Sequence, residues 1–239
     1  MALFNCFIQE VFMRHIPIIK RYLYFILGLF VNSLGVAFIT YARLGTSPIS
    51  SIPYVLSLKY PITLGGFTIL FSLLLVALQL LLLRKNYQPI QLLQIPVSIL
   101  FGYFIDFSMK YLLFWLNPQQ YLMKILSLLI GCLILAFGVS MEFTANVIML
   151  PGEGVATALH QITGKEAGSV KIIVDVSMMV SAVILSLVLF HGVNGVREGT
   201  VISAIIVGYI ARQFCRLLNP IMKKWFYSTT RSVEASSES

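Results

Sequence analysis

Residues 22–54 read YLYFILGLFVNSLGVAFITYARLGTSPISSIPY, a long apolar run that breaks abruptly into a turn of glycine, threonine, proline and serines. A span of bilayer hydrocarbon needs roughly 20 apolar residues of helix, and the run meets that length. Five more runs follow, so that apolar stretches cover approximately 22–42, 64–83, 92–115, 121–148, 168–190 and 199–220. Backbone groups inside lipid find no water to bond, which leaves only helices and closed barrels as spanning structures. These runs lack the alternating pattern of barrel strands. The expected fold class is therefore all-α integral membrane, with six transmembrane helices.

Composition points the same way. Of 239 residues, 58% are hydrophobic and only 11% are charged, whereas a soluble domain carries about 25% charged residues. That balance excludes a cytosolic enzyme, a nucleic-acid-binding domain and a disulfide-stapled secreted module. The net charge of +8 belongs with basic residues that flank membrane spans and meet anionic headgroups, so the lipid bilayer is an expected partner and nucleic acid is not. Cys6, Cys132 and Cys215 are scattered without paired spacing, and no metal or cofactor is expected. No phosphate loop, HExxH, GxSxG or paired-cysteine motif occurs, and His15, His160 and His191 are far apart. The expectation is that the protein is not an enzyme. Residues 1–21 run from apolar to basic, unlike a cleaved signal peptide. Met13, directly before Arg14 and the first span, is a second candidate start beside Met1.

If the N-terminus is cytoplasmic, the inner side collects eleven basic residues: Arg14, Lys20, Arg21, Arg84, Lys85, Lys165, Lys171, Arg216, Lys223, Lys224 and Arg231. The outer side receives Arg43, Lys59, Lys124 and Arg197. This asymmetry predicts a cell-membrane protein with both termini cytoplasmic. The division is a cytoplasmic segment 1–21, a membrane repeat 22–116, a second repeat 121–220 and a cytoplasmic tail 221–239, largely disordered.

The two repeats rest on an offset of 103 residues, which carries Gly28, Gly35, Pro48 and Gly65 onto Gly131, Gly138, Pro151 and Gly168. After a three-residue insertion, Gly102-Tyr103 falls on Gly208-Tyr209 and Lys110 on Arg216. Three spans per unit make the repeats inverted, a design that recurs in solute carriers. The glycines seven apart share one helix face, where small residues let backbones approach.

After the first span of each unit lies a segment too short and polar to cross, 45–60 and 150–164. Each is expected to form a half-helix. In the first, Ser47 suits the N-cap and Pro48 the first turn, Ser50 and Ser51 add hydroxyls, and Thr46, Ser47 and Ser50, with Gly152, Glu153 and Gly154 of the second, are the expected solute-binding residues. The second begins Pro151-Gly152-Glu153-Gly154 and puts a carboxylate where the helix dipole favours negative charge. Glu153 there would prefer a cationic or hydrogen-bond-donating ligand, whereas the Ser47 side is open to an anion. Charges inside spans need partners. Asp106 is expected to meet Lys110 or Arg43, and Arg212 to meet Glu142 or Asp175. Tyr111, Trp115 and Trp225 mark span ends.

The stretches ARLGTSPISSIP (42–53), LPGEGVATALHQITGKEAGSVKIIVD (150–175) and GVREGTVISAIIVGYIARQF (195–214) together resemble the YczE/YyaS/YitT family of bacterial multipass membrane proteins. The family's glycine, proline and GEG signatures fall on Gly45, Pro48, Pro151, Gly152, Glu153 and Gly154, and on Arg197, Glu198, Gly199 and Thr200. The resemblance implies a bacterial cytoplasmic membrane location and carries over no catalytic residue. The leading expectation is a small secondary transporter or permease for a small polar or ionic solute. Two alternatives stand beside it: a non-transporting accessory or assembly factor, whose partner is a second copy or another membrane protein, and a substrate-capturing subunit of a larger transport complex.

Overall fold

The computed structural model describes residues 18–84, 87–114, 116 and 118–237, with backbone alone at 18, 221 and 223–237. Met13 and its neighbours, Lys85 and Trp115 lie outside the described residues, as does the side chain of Trp225. All regular structure among the described residues is helical. The helices are α1 (Ile18–Tyr41), α2 (Ser51–Lys59), α3 (Leu64–Leu83), α4 (Gln94–Phe107), α5 (Tyr121–Ala145), α6 (Pro151–Thr163), α7 (Ala167–Phe190) and α8 (Glu198–Ser237). A 3-10 turn at Pro89–Leu93 leads into α4, and a wider π turn at Ser108–Leu112 ends it.

Among the described residues, six helical stretches are long and apolar enough to cross a membrane: Ile19–Tyr41, Leu64–Leu83, Pro89–Leu112, Tyr121–Ala145, Ala167–Phe190 and Glu198–Pro220. Their outward faces are greasy. On α3 the buried residues Leu64, Thr68, Ser72, Leu75, Gln79 and Leu83 recur at the three-and-four spacing of one helix face, while Leu70, Leu74 and Leu81 lie exposed. A helix apolar on its exposed side has lipid as its solvent there. The chain is a multipass membrane protein.

Both halves run long helix, short helix, long, long. The centre of the molecule is the crossing of α1 and α5, which holds the main apolar cluster of Leu29, Val36, Ile39, Leu128, Cys132 and Leu135. Glycine makes this crossing close. A side chain on Gly35 would run into the Leu135 backbone, and one on Gly138 into the Asn32 backbone. A Cβ at Gly28 would lie 2.9 Å from that of Met141 and 3.2 Å from the Glu142 nitrogen, and one at Gly131 would lie 2.8 Å from the Ile39 nitrogen and 3.0 Å from the Phe38 Cβ. In every case the 103-residue offset converts one contact into the other. Packing farther out is reciprocal too: α6 lies against α3 and α2 against α7, each short helix being held by a long helix of the opposite half.

Two boundaries differ from expectation. The first short helix starts at Ser51 with Ser50 as its N-cap, one turn later than Ser47. Ser47 donates its hydroxyl to Ser50 at 3.0 Å, and residues 48–50 close a tight turn through the Ser51 amide and the Pro48 carbonyl at 3.3 Å. At its other end α8 remains helical to Ser237, where a disordered tail was expected. Neither glycine nor proline follows Pro220 to stop it.

Candidate functional site

The start of α2 is a nest of buried hydroxyls supplied by both halves. Gly45 takes φ +120 and leaves no room for a side chain beside the Thr200 hydroxyl, which lets the Gly199 amide reach the Leu44 carbonyl at 2.8 Å. That φ favours glycine. Thr46 is then fixed on three sides: its amide donates to Thr200 Oγ1 at 3.2 Å, its carbonyl accepts from Ser203 at 3.2 Å, and its hydroxyl meets Thr40 at 3.2 Å. Ser51 donates to the Pro48 carbonyl at 2.6 Å and approaches the Met178 carbonyl of α7 at 3.5 Å. Thr46, Ser47 and Ser50 are all buried, so the surface that was expected to be open to an anion is satisfied internally in this conformation.

The start of α6 is held differently. Pro151 opens the helix, its fixed φ suiting the first turn, and Glu153 stands in that turn. Gln79 of α3, fully buried, donates to the Pro151 carbonyl at 3.1 Å and pairs with Gln94 of α4 through bonds of 3.1 and 3.3 Å. A Cβ at Gly154 would stand 2.5 Å from the Gln79 Oε1, so the glycine is what lets the glutamine in. A Cβ at Gly152 would stand 2.7 Å from the Ile49 Cδ1. Ile49 and Gly152 are themselves related by the 103-residue offset. The segments that lead into the two short helices therefore touch at positions related by that offset.

Charge collects on one side of that contact. Lys171 of α7 sits between two carboxylates, 2.7 Å from Asp175 Oδ1 and 3.3 Å from Glu153 Oε2. Glu142 of α5 is 8% exposed and accepts from the Asn32 amide at 2.8 Å. Two carboxylates thus share one ammonium, an arrangement that favours a cation or a strong hydrogen-bond donor. At the end of α5, Arg21 donates to the Ala145 carbonyl at 3.0 Å and to the Asn146 carbonyl, a cation at the negative end of a helix dipole. No three ligating side chains converge as a metal site among the described residues.

The intramembrane charges pair otherwise than expected. Asp175 belongs to Lys171 and Glu142 to Asn32, so neither holds Arg212, whose Nε is buried without a hydrogen-bond partner. Asp106 meets neither Lys110 nor Arg43. It caps the start of α3, accepting from Thr63 at 2.6 Å and from the Gly65 amide at 2.9 Å, while Lys110 lies over the Tyr111 ring at 5.3 Å. Sequence reasoning missed Asn32, Gln79, Gln94 and Lys171 as members of the polar centre. The signals were there in principle: three amides within apolar runs, and a lysine four residues before an aspartate on one helix face.

A family model described as "Family of unknown function (DUF6198)" matches residues 19–216. The chain is 26% identical over 215 residues to "Uncharacterized protein YyaS" of Bacillus subtilis (strain 168), covering 88% of this chain and 98% of that one. No solved structure matches.

Proposed function

We propose, from the premise that the chain belongs to the DUF6198 family, that it is a small secondary transporter of the bacterial cytoplasmic membrane, built as two inverted three-span repeats with both termini cytoplasmic. The contact of Ile49 with Gly152 carries the reading. Carriers of this design place the solute near the repeat axis, where short helices from the two halves end. Here the axis is flanked by hydroxyls and backbone groups at the start of α2 and by Glu153, ion-paired through Lys171 with Asp175, at the start of α6. The solute that fits is small and cationic, or an uncharged donor of hydrogen bonds. Lys171 holds two carboxylates, Glu153 and Asp175, and an incoming cation would compete with it for Glu153. The role is that of a carrier, and no covalent chemistry is assigned.

The test is solid-supported-membrane electrophysiology on the purified chain in liposomes, challenged with monovalent cations, small amines and amino acids. Transient currents with one class, lost in Glu153→Gln, are expected. Silence across all three classes, with a second membrane protein copurifying from the native membrane, would move the chain to an accessory role.

A further inference from the structure

The two halves match in their first spans and short helices but not in their third spans, and the mismatch is specific. In the first half α3 and α4 are packed together. The backbones of Gly65 and Gly102 touch, and Asp106 closes the seam by accepting from Thr63 and from the Gly65 amide. The offsets carry these residues onto Gly168, Gly208, Arg212 and Glu166. At the second seam no atom of the described residues lies within 4 Å of a Cβ built at Gly168 or at Gly208. Among the described residues no packing of comparable extent joins α7 to α8, and Arg212 has its Nε buried and without a hydrogen-bond partner there. Glu166 occupies the N-cap position of α7 without capping it, where Thr63 caps α3.

The chemistry of the two seams is complementary. In the first, an acid on the third span takes a hydroxyl and an amide from the start of the second span. In the second, the third span presents a base and the start of the second span presents an acid. Arg212 and Glu166 are oppositely charged at equivalent positions, and the glycines needed for close approach are already in place.

We propose that α8 closes on α7 with Arg212 docking on Glu166, and that this latch alternates with the Asp106–Thr63 latch as α4 opens from α3. The inference rests on the carrier reading, because an exchange of conformations between inverted halves is what that reading requires. This structure has the first seam closed and the second open. The alternate state is the same pair of packings with the halves exchanged.

The experiment uses the full chain in membranes with Cys6, Cys132 and Cys215 replaced by alanine. Gly168→Cys with Gly208→Cys is oxidised by copper phenanthroline, beside Thr63→Cys with Asp106→Cys as the pair already in contact. A disulfide needs Cα atoms within about 7 Å, which at 168 and 208 requires closure. A 168–208 disulfide is expected in a substantial fraction of the chain. Arg212→Ala or Glu166→Arg should lower its yield at least several-fold, and Glu166→Arg with Arg212→Glu should restore it. No 168–208 disulfide in membranes where the 63–106 pair forms, or a yield indifferent to Arg212→Ala, would overturn the latch. The readout needs no solute, so currents without closure would sink the latch alone, and closure without currents would sink the transport reading alone.

Discussion

Asn32 on α1 donates its side-chain amide to the Glu142 carboxyl on α5 across 2.8 Å, with both residues almost fully buried. The pair stands on the face where Gly28, Gly35, Gly131 and Gly138 bring the two helices together. Asn32→Ala would leave a carboxyl in the bundle without its donor, at a cost of about 1–3 kcal/mol. Glu142→Gln keeps an oxygen to accept the same bond. Thermal unfolding in detergent should show Asn32→Ala well below the wild type and Glu142→Gln close to it. Equal losses in the two variants would mean that the hydrogen bond is not what holds the pair.

The glycines give a sharper contrast. Gly35→Ala and Gly138→Ala each force a methyl into the backbone of the facing helix, at positions exchanged by the 103-residue offset. Overpacking of this kind costs about 1–3 kcal/mol, and the upper end applies where the obstacle is backbone. The two substitutions should lower the unfolding temperature by similar amounts. Gly208→Ala meets nothing within 4 Å and should be neutral or slightly stabilising, since alanine is the better helix former. Dissimilar losses at 35 and 138 would argue against the pseudo-two-fold.

How much of this could be read from the chain depends on what the feature needs. Spans and short helices are properties of local composition, and all six expected spans begin within four residues of the observed helices. The shared face of Gly28 and Gly35 follows from a spacing of seven on one helix. Partner choice was not legible, because it depends on how each helix is rotated about its axis. Arg212 looked like the partner of Glu142 or Asp175 only on the ground of depth. Lys171 was counted with the headgroup bases because it stands within one turn of the span's start, yet Glu153 and Asp175 draw its ammonium to them. The late start of α2 is a matter of hydroxyl geometry among Ser47, Ser50 and Ser51, and three serines within five residues offer several equally good caps.

The membrane orientation is open to direct measurement. Reporter fusions after Lys85, Lys165 and Lys224 should read as cytoplasmic, and fusions near Lys59, Gln119 and Asn194 as external. The two sets fall on opposite sides only if each half crosses three times. A fusion at Lys165 on the same side as one at Lys59 would break the inversion.

Accessibility tests the two short helices. Ser50 and Ala156 are 4% and 8% exposed, so in this conformation cysteines there should resist water-soluble thiol reagents. A carrier that opens to each side in turn exposes each position from one side only. Slow labelling is therefore expected at both, with Ser50→Cys and Ala156→Cys favouring opposite faces of oriented vesicles. Lasting protection of both would favour a packed bundle without access.

Lys171 is the residue whose loss should be felt most, because it neutralises two carboxylates at once. Its side chain is 29% exposed, and those of Glu153 and Asp175 are 16% and 19% exposed. Removing one partner of a buried ion pair costs about 3–5 kcal/mol, since the charge left behind has neither water nor partner. The partial exposure puts Lys171→Met at the low end, about 3 kcal/mol. Adding Asp175→Asn removes one of the stranded charges and should recover much of the loss, whereas Asp175→Asn alone leaves Lys171 paired with Glu153 and should be mild. Unfolding temperatures of the three variants make the cycle. Lys171→Met no worse than Asp175→Asn would mean that water reaches the cluster freely. In that case Glu153 stands in an aqueous path, and its competition between Lys171 and an arriving cation would be decided by hydration instead of by the ion pair.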